Sequence, residues 1–247
     1  VAALRFRAKL AGKKPSVGSL TERVLAGFRR QGVGRGRGRV MTGVGWLRAT
    51  QQPLWRPVDP ADPALGWQKH WGVRKLTRVA RQETGHTPSR KVDAYWVPEE
   101  CVTPWVSLAD VWQLRSGEVV FIEETKEKVS EVGLANSAAR LLPKDTVILS
   151  RTASVGFPAI LGEPMATTQD FAAWICGPVL RPKFLYFVLL TMRPEFHRLM
   201  MGSTHQTIYM PDIRAFRTPL PPVNEQDEIC ANLETVVQQI RRRSHGV

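Results

Sequence analysis

From about residue 71 onward, apolar residues fall into short blocks separated by polar loops, and the spacing within each block predicts its element. Val73, Leu76 and Val79 open this rhythm, and GHTPSRK (Gly85 to Lys91) reads as a turn or loop. Tyr95 and Trp96 then lead into Val102 to Leu108, a predicted strand. Strong helix formers with opposed charges at helical spacing, such as Glu124 with Lys128, predict a helix over Glu123 to Leu134, with Gly133 available to close it. TVILS (Thr146 to Ser150) is a β-branched strand, followed by the loop RTASVG. Ala159 to Leu161 and Met165 to Ala166, joined by Gly162–Glu163, predict a hairpin, and Phe171 to Cys176 a further strand.

Phe184, Leu185, Val188, Leu189 and Met192 mark an amphipathic helix that Pro194 breaks; Glu195 to Met201 restarts it before Gly202. GSTHQTIYM (Gly202 to Met210) is polar and poor in helix formers, a short turn follows over Pro211 to Phe216, and TPLPP must be extended. Asn224 is a good N-cap for a last helix, with Asp227 at its third position. Its apolar stripe Ile229, Leu233, Val236 and Ile240 is spaced four, three, four, a coiled-coil seam of about two heptads that needs a partner. That partner is the domain's own surface, a second copy of the chain, or another subunit.

The pattern divides the chain into a basic extension with a Pro-rich linker (1–63), a globular region (64–222) and the start of a long helix (223–247). The linker carries Pro53, Pro57, Pro60 and Pro63. Mixed strands and helices predict an α/β (α+β) fold built on a mixed sheet. Charge sharpens this division. Residues 1–50 hold 12 Lys/Arg against one acid, whereas residues 51–247 hold 23 against 21. Of the formal +13, the tail supplies +11, so any DNA binding by the body must rest on something other than net charge. The tail, with Gly and Arg alternating from Gly32 to Val40, is either a nonspecific polyanion-binding arm or an extension that plays no part in the fold. Cys101, Cys176 and Cys230 are odd in number and far apart, which fits buried thiols in a reducing cytoplasm. No run approaches the roughly 20 apolar residues that a membrane span requires, and no secretory signal is visible.

Several blocks carry a family resemblance. LLPKDTVILSRTASVG (Leu141 to Gly156), followed by ILGEPMATTQDFA (Ile160 to Ala172), resembles the middle of the recognition domains in type I restriction–modification specificity subunits. GSTHQTIYMPDIRAFRTPLPPVNEQDEI (Gly202 to Ile229) resembles the family's passage from recognition domain to spacer helix. HWGVRKLTRVA (His70 to Ala80) resembles its first strand, and TPSRK with Tyr95–Trp96 its first loop. The blocks occur in the family's order over about residues 64–243. This resemblance implies a target-recognition domain that reads one half of a split sequence in double-stranded DNA. Methyltransferase subunits would dock on its spacer helix, and a motor-nuclease subunit would join the larger assembly. The subunit itself would choose the address and perform no chemistry. With one recognition domain and a short spacer helix, the chain reads as a half-subunit that pairs with itself, a fragment, or a decayed gene.

A direct reading of candidate chemistry agrees. No cofactor is expected: the glycine loop and polar–Pro–aromatic motif of a base methyltransferase, and the phosphate loop of a motor, do not occur in the folded region. Glu123, Glu124 and Lys126 offer nuclease residue types, but their predicted place is a charge-alternating helix face. The five histidines show no metal spacing, and Ser203, Thr204 and His205 have no orienting acid nearby. The side chains suited to reading DNA are concentrated in loops. These are Thr87, Ser89, Arg90 and Lys91; Arg151, Thr152 and Ser154; Thr167, Thr168 and Gln169; and Ser203, Thr204, His205 and Gln206. Arg151, directly after an apolar strand, is expected to project into a groove. For each residue the alternative is ordinary turn chemistry. Competing functions are nonspecific nucleic-acid binding through the Gly/Arg tail, a self-contained enzyme, and a non-functional truncated fragment.

Overall fold

Val147–Ser150 (β6) and Phe171–Cys176 (β9) form the centre of the fold and pair antiparallel, Val147 opposite Trp174 and Ser150 opposite Phe171. All four β6 residues are buried, as are the first four of β9, as expected of apolar strands covered on both faces. The computed structural model describes residues 71–114, 120–192, 196, 199–200 and 206–244, and their side chains up to residue 235 apart from that of Thr191. The expectations for the tail and Pro-rich linker, and for Ser203, Thr204 and His205, lie outside the described residues, as do the side chains of Val236 and Ile240.

Ala80–Thr84 (β2) flanks β9, and Pro158–Leu161 (β7) and Phe121–Ile122 (β4) flank β6, completing a five-stranded sheet in the order β2-β9-β6-β7-β4. Only the β4–β7 pair is parallel, so the sheet is mixed, and the fold is α+β. A second sheet joins Glu127–Val129 (β5), Thr103–Val106 (β3) and Ala166–Thr167 (β8) in the order β5-β3-β8. A ribbon pairs Gly72–Lys75 (β1) with Arg217–Leu220 (β10).

Two expectations fail for long-range reasons. The segment 123–134 is not one helix. Lys126 N–H donates to the buried carboxylate of Asp110 (2.8 Å), and residues 127–129 pair with β3, so only Glu131–Ala135 (α1) is helical. Gly133 lies inside this turn, where its N–H is capped by the Ser130 hydroxyl at 3.1 Å. Glu124 and Lys128 therefore do not form a helical pair. The predicted hairpin is also absent: β6 and β4 occupy both edges of β7, and β8 runs parallel to β3 in the other sheet.

Pro182–Thr191 (α2) is helical where its apolar spacing predicts, but it is buried all round from Phe184 to Leu190 rather than amphipathic. Phe196, Leu199 and Met200 are helical beyond Pro194. Met210–Arg214 (α3) is a short helix, Pro-initiated, where a turn was expected. The last helix, Val223–Ser244 (α4), starts one residue before Asn224. Gln226 N–H already bonds the Pro222 carbonyl at 3.0 Å, so Asn224 sits inside the first turn and does not cap it. Burial pushes the Cys176 and Cys230 thiols up to about 12, keeping both protonated and inert at neutral pH.

The first turns of α4 are fixed to the body. The buried Gln226 side chain donates to the carbonyls of Val179 and Pro221 (2.9 Å each) and accepts from Arg181 N–H (2.8 Å). Trp71 Nε1 donates to Glu225 at 2.8 Å, and Arg181 and Lys183 pair with Asp227 and Glu234. Ile229 and Leu233 are buried in the main core beside α2. The expectation that they form a subunit interface is corrected here: at 8% and 1% exposure they belong to the domain's own core.

Candidate nucleic-acid interface

Three of the polar loops chosen by composition converge, together with Gln206 of the fourth. Gly85, after β2, lies against the backbone of Thr167, and His86 N–H donates to the Thr167 carbonyl at 3.0 Å. The Thr87 hydroxyl bonds Gln169 Oε1 at 2.8 Å, joining the first loop to the third. After β6, Arg151 N–H donates to the Asp170 carbonyl and Ile208 N–H to the Arg151 carbonyl (2.8 Å each). Ala153 N–H donates to the Gln206 carbonyl at 2.8 Å, and Thr152 bridges Thr207. The second loop is tightly wound, with positive φ at Ala153 (56°) and Gly156 (89°). Ser150 steadies it, its hydroxyl donating to the Ser154 carbonyl and accepting from Phe157 N–H. Segments far apart in sequence thus become one continuous rim.

Within the rim, side chains separate into those that build it and those that face solvent. Arg151 belongs to the first group. Its Nε donates to the Gln169 carbonyl (3.0 Å) and its Nη1 to the Ile208 carbonyl (3.3 Å), so it clamps two other loops instead of projecting freely. Thr167 and Thr168 are buried, and the Thr168 hydroxyl bonds the Asp170 carboxylate at 3.0 Å, which corrects the expectation that Thr168 contacts DNA. Thr152 and Ser154 are half-buried in the wound loop. Arg90 is exposed, but its guanidinium stacks on Trp96 (3.6 Å to the ring centroid) and pairs with Glu127 at 2.8 Å. Trp96 and Trp105 donate to the Ser89 and His86 carbonyls, so two indoles hold the first loop in shape.

The solvent-facing set is Ser89, Lys91, Gln169 and Gln206, with Arg90 at its margin. Sequence reading missed His86 and Tyr209, both exposed on the same loops. His86 adjoins a cluster that was chosen, and Tyr209 is a lone aromatic in a polar stretch; both are usable signals. Alanine at Arg151 is expected to remove two charge-assisted hydrogen bonds, about 1.5–3 kcal/mol for a well-formed one and less where solvent reaches it. Thermal unfolding should therefore fall by a few degrees, and sequence preference should weaken with it. Unchanged stability together with weakened binding would make Arg151 a direct contact.

The family profile described as "Type I restriction modification DNA specificity domain" matches residues 68–244. The chain belongs to this family. It is similar to the type I restriction enzyme MjaIX specificity subunit of Methanocaldococcus jannaschii, 27% identical over 167 residues, which are 67% of this chain and 37% of that protein. It is also similar to the EcoprrI specificity subunit of Escherichia coli, 20% identical over 65% of this chain and 39% of that protein. The chain therefore spans about two fifths of the length of these curated family relatives. Among solved structures, the HsdS subunit from Thermoanaerobacter tengcongensis shares the fold with a TM-score of 0.59 at 15% identity, over 93% of this chain and 46% of that one. A chain from a structure on complex assembly and conformational transition of the type I R-M system gives a TM-score of 0.56 at 20% identity, over 71% and 41%. Both likenesses support the α+β fold. No helix among the described residues is long and apolar enough to cross a membrane.

Proposed function

We propose that the chain is a DNA target-recognition domain of a type I restriction–modification system, reading one half of a split sequence through its four-loop rim. The observation that carries this reading is the rim itself: loops following β2, β6 and β8, and the segment before α3, are tied by main-chain hydrogen bonds into one surface. Such cross-linking preorganises donors and acceptors, which base reading requires, since a loosely held side chain discriminates poorly. Ser89, Lys91, Gln169 and Gln206, with His86, are the side chains we assign to base edges and nearby phosphates.

Helix α4 is the start of the spacer, and its fixed attachment through Gln226 sets the angle at which it leaves the domain. Methyltransferase and motor-nuclease subunits are the partners in this reading, and they carry the chemistry. The other half-site belongs to a second recognition domain. The rim is a contact surface in this reading: among the described residues its polar groups bond neighbouring carbonyls, pair structurally as Thr168 does with Asp170, or face solvent. Selection of binders from a pool of random duplexes, using the chain assembled with type I methyltransferase subunits, tests this. Enrichment of one short motif that changes when Gln169 or Gln206 is replaced by alanine is expected. A pool that stays random would refute the reading.

A further inference from the structure

The β1–β10 ribbon carries charge that the fold does not use. Register places Lys75 directly opposite Arg217, so two cations share one face of an antiparallel pair, an arrangement that destabilises a sheet unless an anion joins it. Arg74 precedes Lys75, Arg78 follows in the next turn, and Arg214 stands two residues before Phe216, whose carbonyl accepts from Leu76 N–H at 2.8 Å. Four of these five cations are exposed, and the half-buried Arg217 has its Nε buried without an acceptor. Elsewhere among the described residues, Arg81 and Arg140 pair with Glu83, Arg90 with Glu127, Arg181 with Asp227, and Lys183 with Glu234, while the cations without a carboxylate partner lie singly and not opposite one another in a register. No carboxylate among the described residues is within ion-pair distance of any of the five.

The near-neutral body therefore conceals a charge separation. Residues 72–81 carry four cations and no acid, while residues 93–131 carry nine acids against three cations. The topology keeps these apart. The ribbon feeds β2 at one edge of the five-stranded sheet, and the acidic segment surrounds β4 at the other edge and the small sheet. We infer that the β1–β10 ribbon is a second DNA contact, an anchor for backbone phosphates, with Lys75 and Arg217 at its centre and Arg78 and Arg214 beside them; Arg74 leaves the ribbon's other face and bonds the Val73 carbonyl. This rests on the proposed DNA-reading function and adds to it a contact outside the rim.

The spacing suits a duplex. Strand β2 runs from the ribbon to Gly85 at the rim, and its five residues span about 17 Å at roughly 3.4 Å each. Successive phosphates on one strand advance about 3.4 Å along the axis, so the anchor falls about five base pairs from the bases the rim reads. A duplex laid from rim to ribbon follows β2, where Arg81 and Glu83 cancel, to the unpaired cations, whereas one laid toward β4 would meet the acidic segment and be repelled. The ribbon then fixes which way the DNA leaves the domain.

The test is the salt dependence of binding by the full chain, comparing the unaltered protein with the double variant Lys75→Gln, Arg217→Gln on one duplex between 50 and 400 mM KCl. Each phosphate contact contributes about −0.9 to the slope of log K against log salt, so the double variant should be shallower by about 1.8. The preferred sequence from duplex selection should stay the same. Lys128→Gln, in the acidic segment, should leave the slope unchanged. If the double variant loses thermal stability, Lys75→Gln with Arg78→Gln, both exposed, should give the same shift. An unchanged slope overturns the anchor, and so does a changed sequence preference, which would make the ribbon a base reader. Loss of sequence preference in the unaltered chain would instead refute the DNA-reading function, leaving the slope comparison to judge the ribbon separately.

Discussion

Replacing Leu233 by aspartate is expected to prevent the domain from folding. Leu233 is 1% exposed and lies in the core that α4 shares with α2. Losing a buried leucine costs about 2–5 kcal/mol, and an unpaired carboxylate in its place adds several more. Together these approach or exceed the roughly 5–15 kcal/mol that holds a typical domain together. Leu233→Ala should fold with stability lowered by the first amount alone. Circular dichroism and thermal melting read both results. A folded Leu233→Asp protein of ordinary stability that merely fails to assemble would mean that this helix face is an intermolecular seam after all.

Gly85→Ala should disconnect the rim. A methyl group at Gly85 would stand 1.9 Å from the Thr167 carbonyl oxygen and 2.3 Å from its carbon, and backbone cannot yield as a side-chain tip does. The first loop must move away, breaking the His86 to Thr167 hydrogen bond and, with it, the Thr87 contact to Gln169. Overpacking of this kind costs about 1–3 kcal/mol of stability. The larger effect is functional. Each well-made base contact is worth about 1–3 kcal/mol of discrimination, so displacing the loop should lower the ratio of specific to nonspecific binding about 10–100-fold. Competition binding with matched and scrambled duplexes measures the ratio. A Gly85→Ala protein that discriminates normally would show that the first loop takes no part in reading.

These effects show which parts of the molecule were legible in its sequence. Strands β6 and β9 and helix α2 were plain because their apolar runs are local and continuous. The segment 123–134 was not, because helix propensity is weak against a buried Asp110 that takes the Lys126 amide and a β3 edge that takes the rest. Loop composition picked out segments that the fold brings together, the fourth represented by Gln206, but could not sort their side chains. Whether a threonine faces solvent, as DNA reading needs, or turns inward like Thr168 depends on a neighbour brought in by tertiary structure. Arg151 was chosen for its position after a strand, yet the carbonyls it clamps come from residues 18 and 57 positions away. Ile229 and Leu233 have seam spacing, but a single stripe reads the same whether it covers a partner or its own domain.

The most direct test of the central claim is a domain exchange. Residues 68–244, which include the turns of α4 that complete the core, replace one recognition domain and the start of its spacer helix in a type I specificity subunit whose two-part target is known, and the sites methylated by the resulting complex are mapped. If the four-loop rim reads DNA, one half of the target changes to a new, defined sequence while the other half is retained. Methylation that stays at the host's original target, or that loses all sequence preference in the exchanged half, would contradict it.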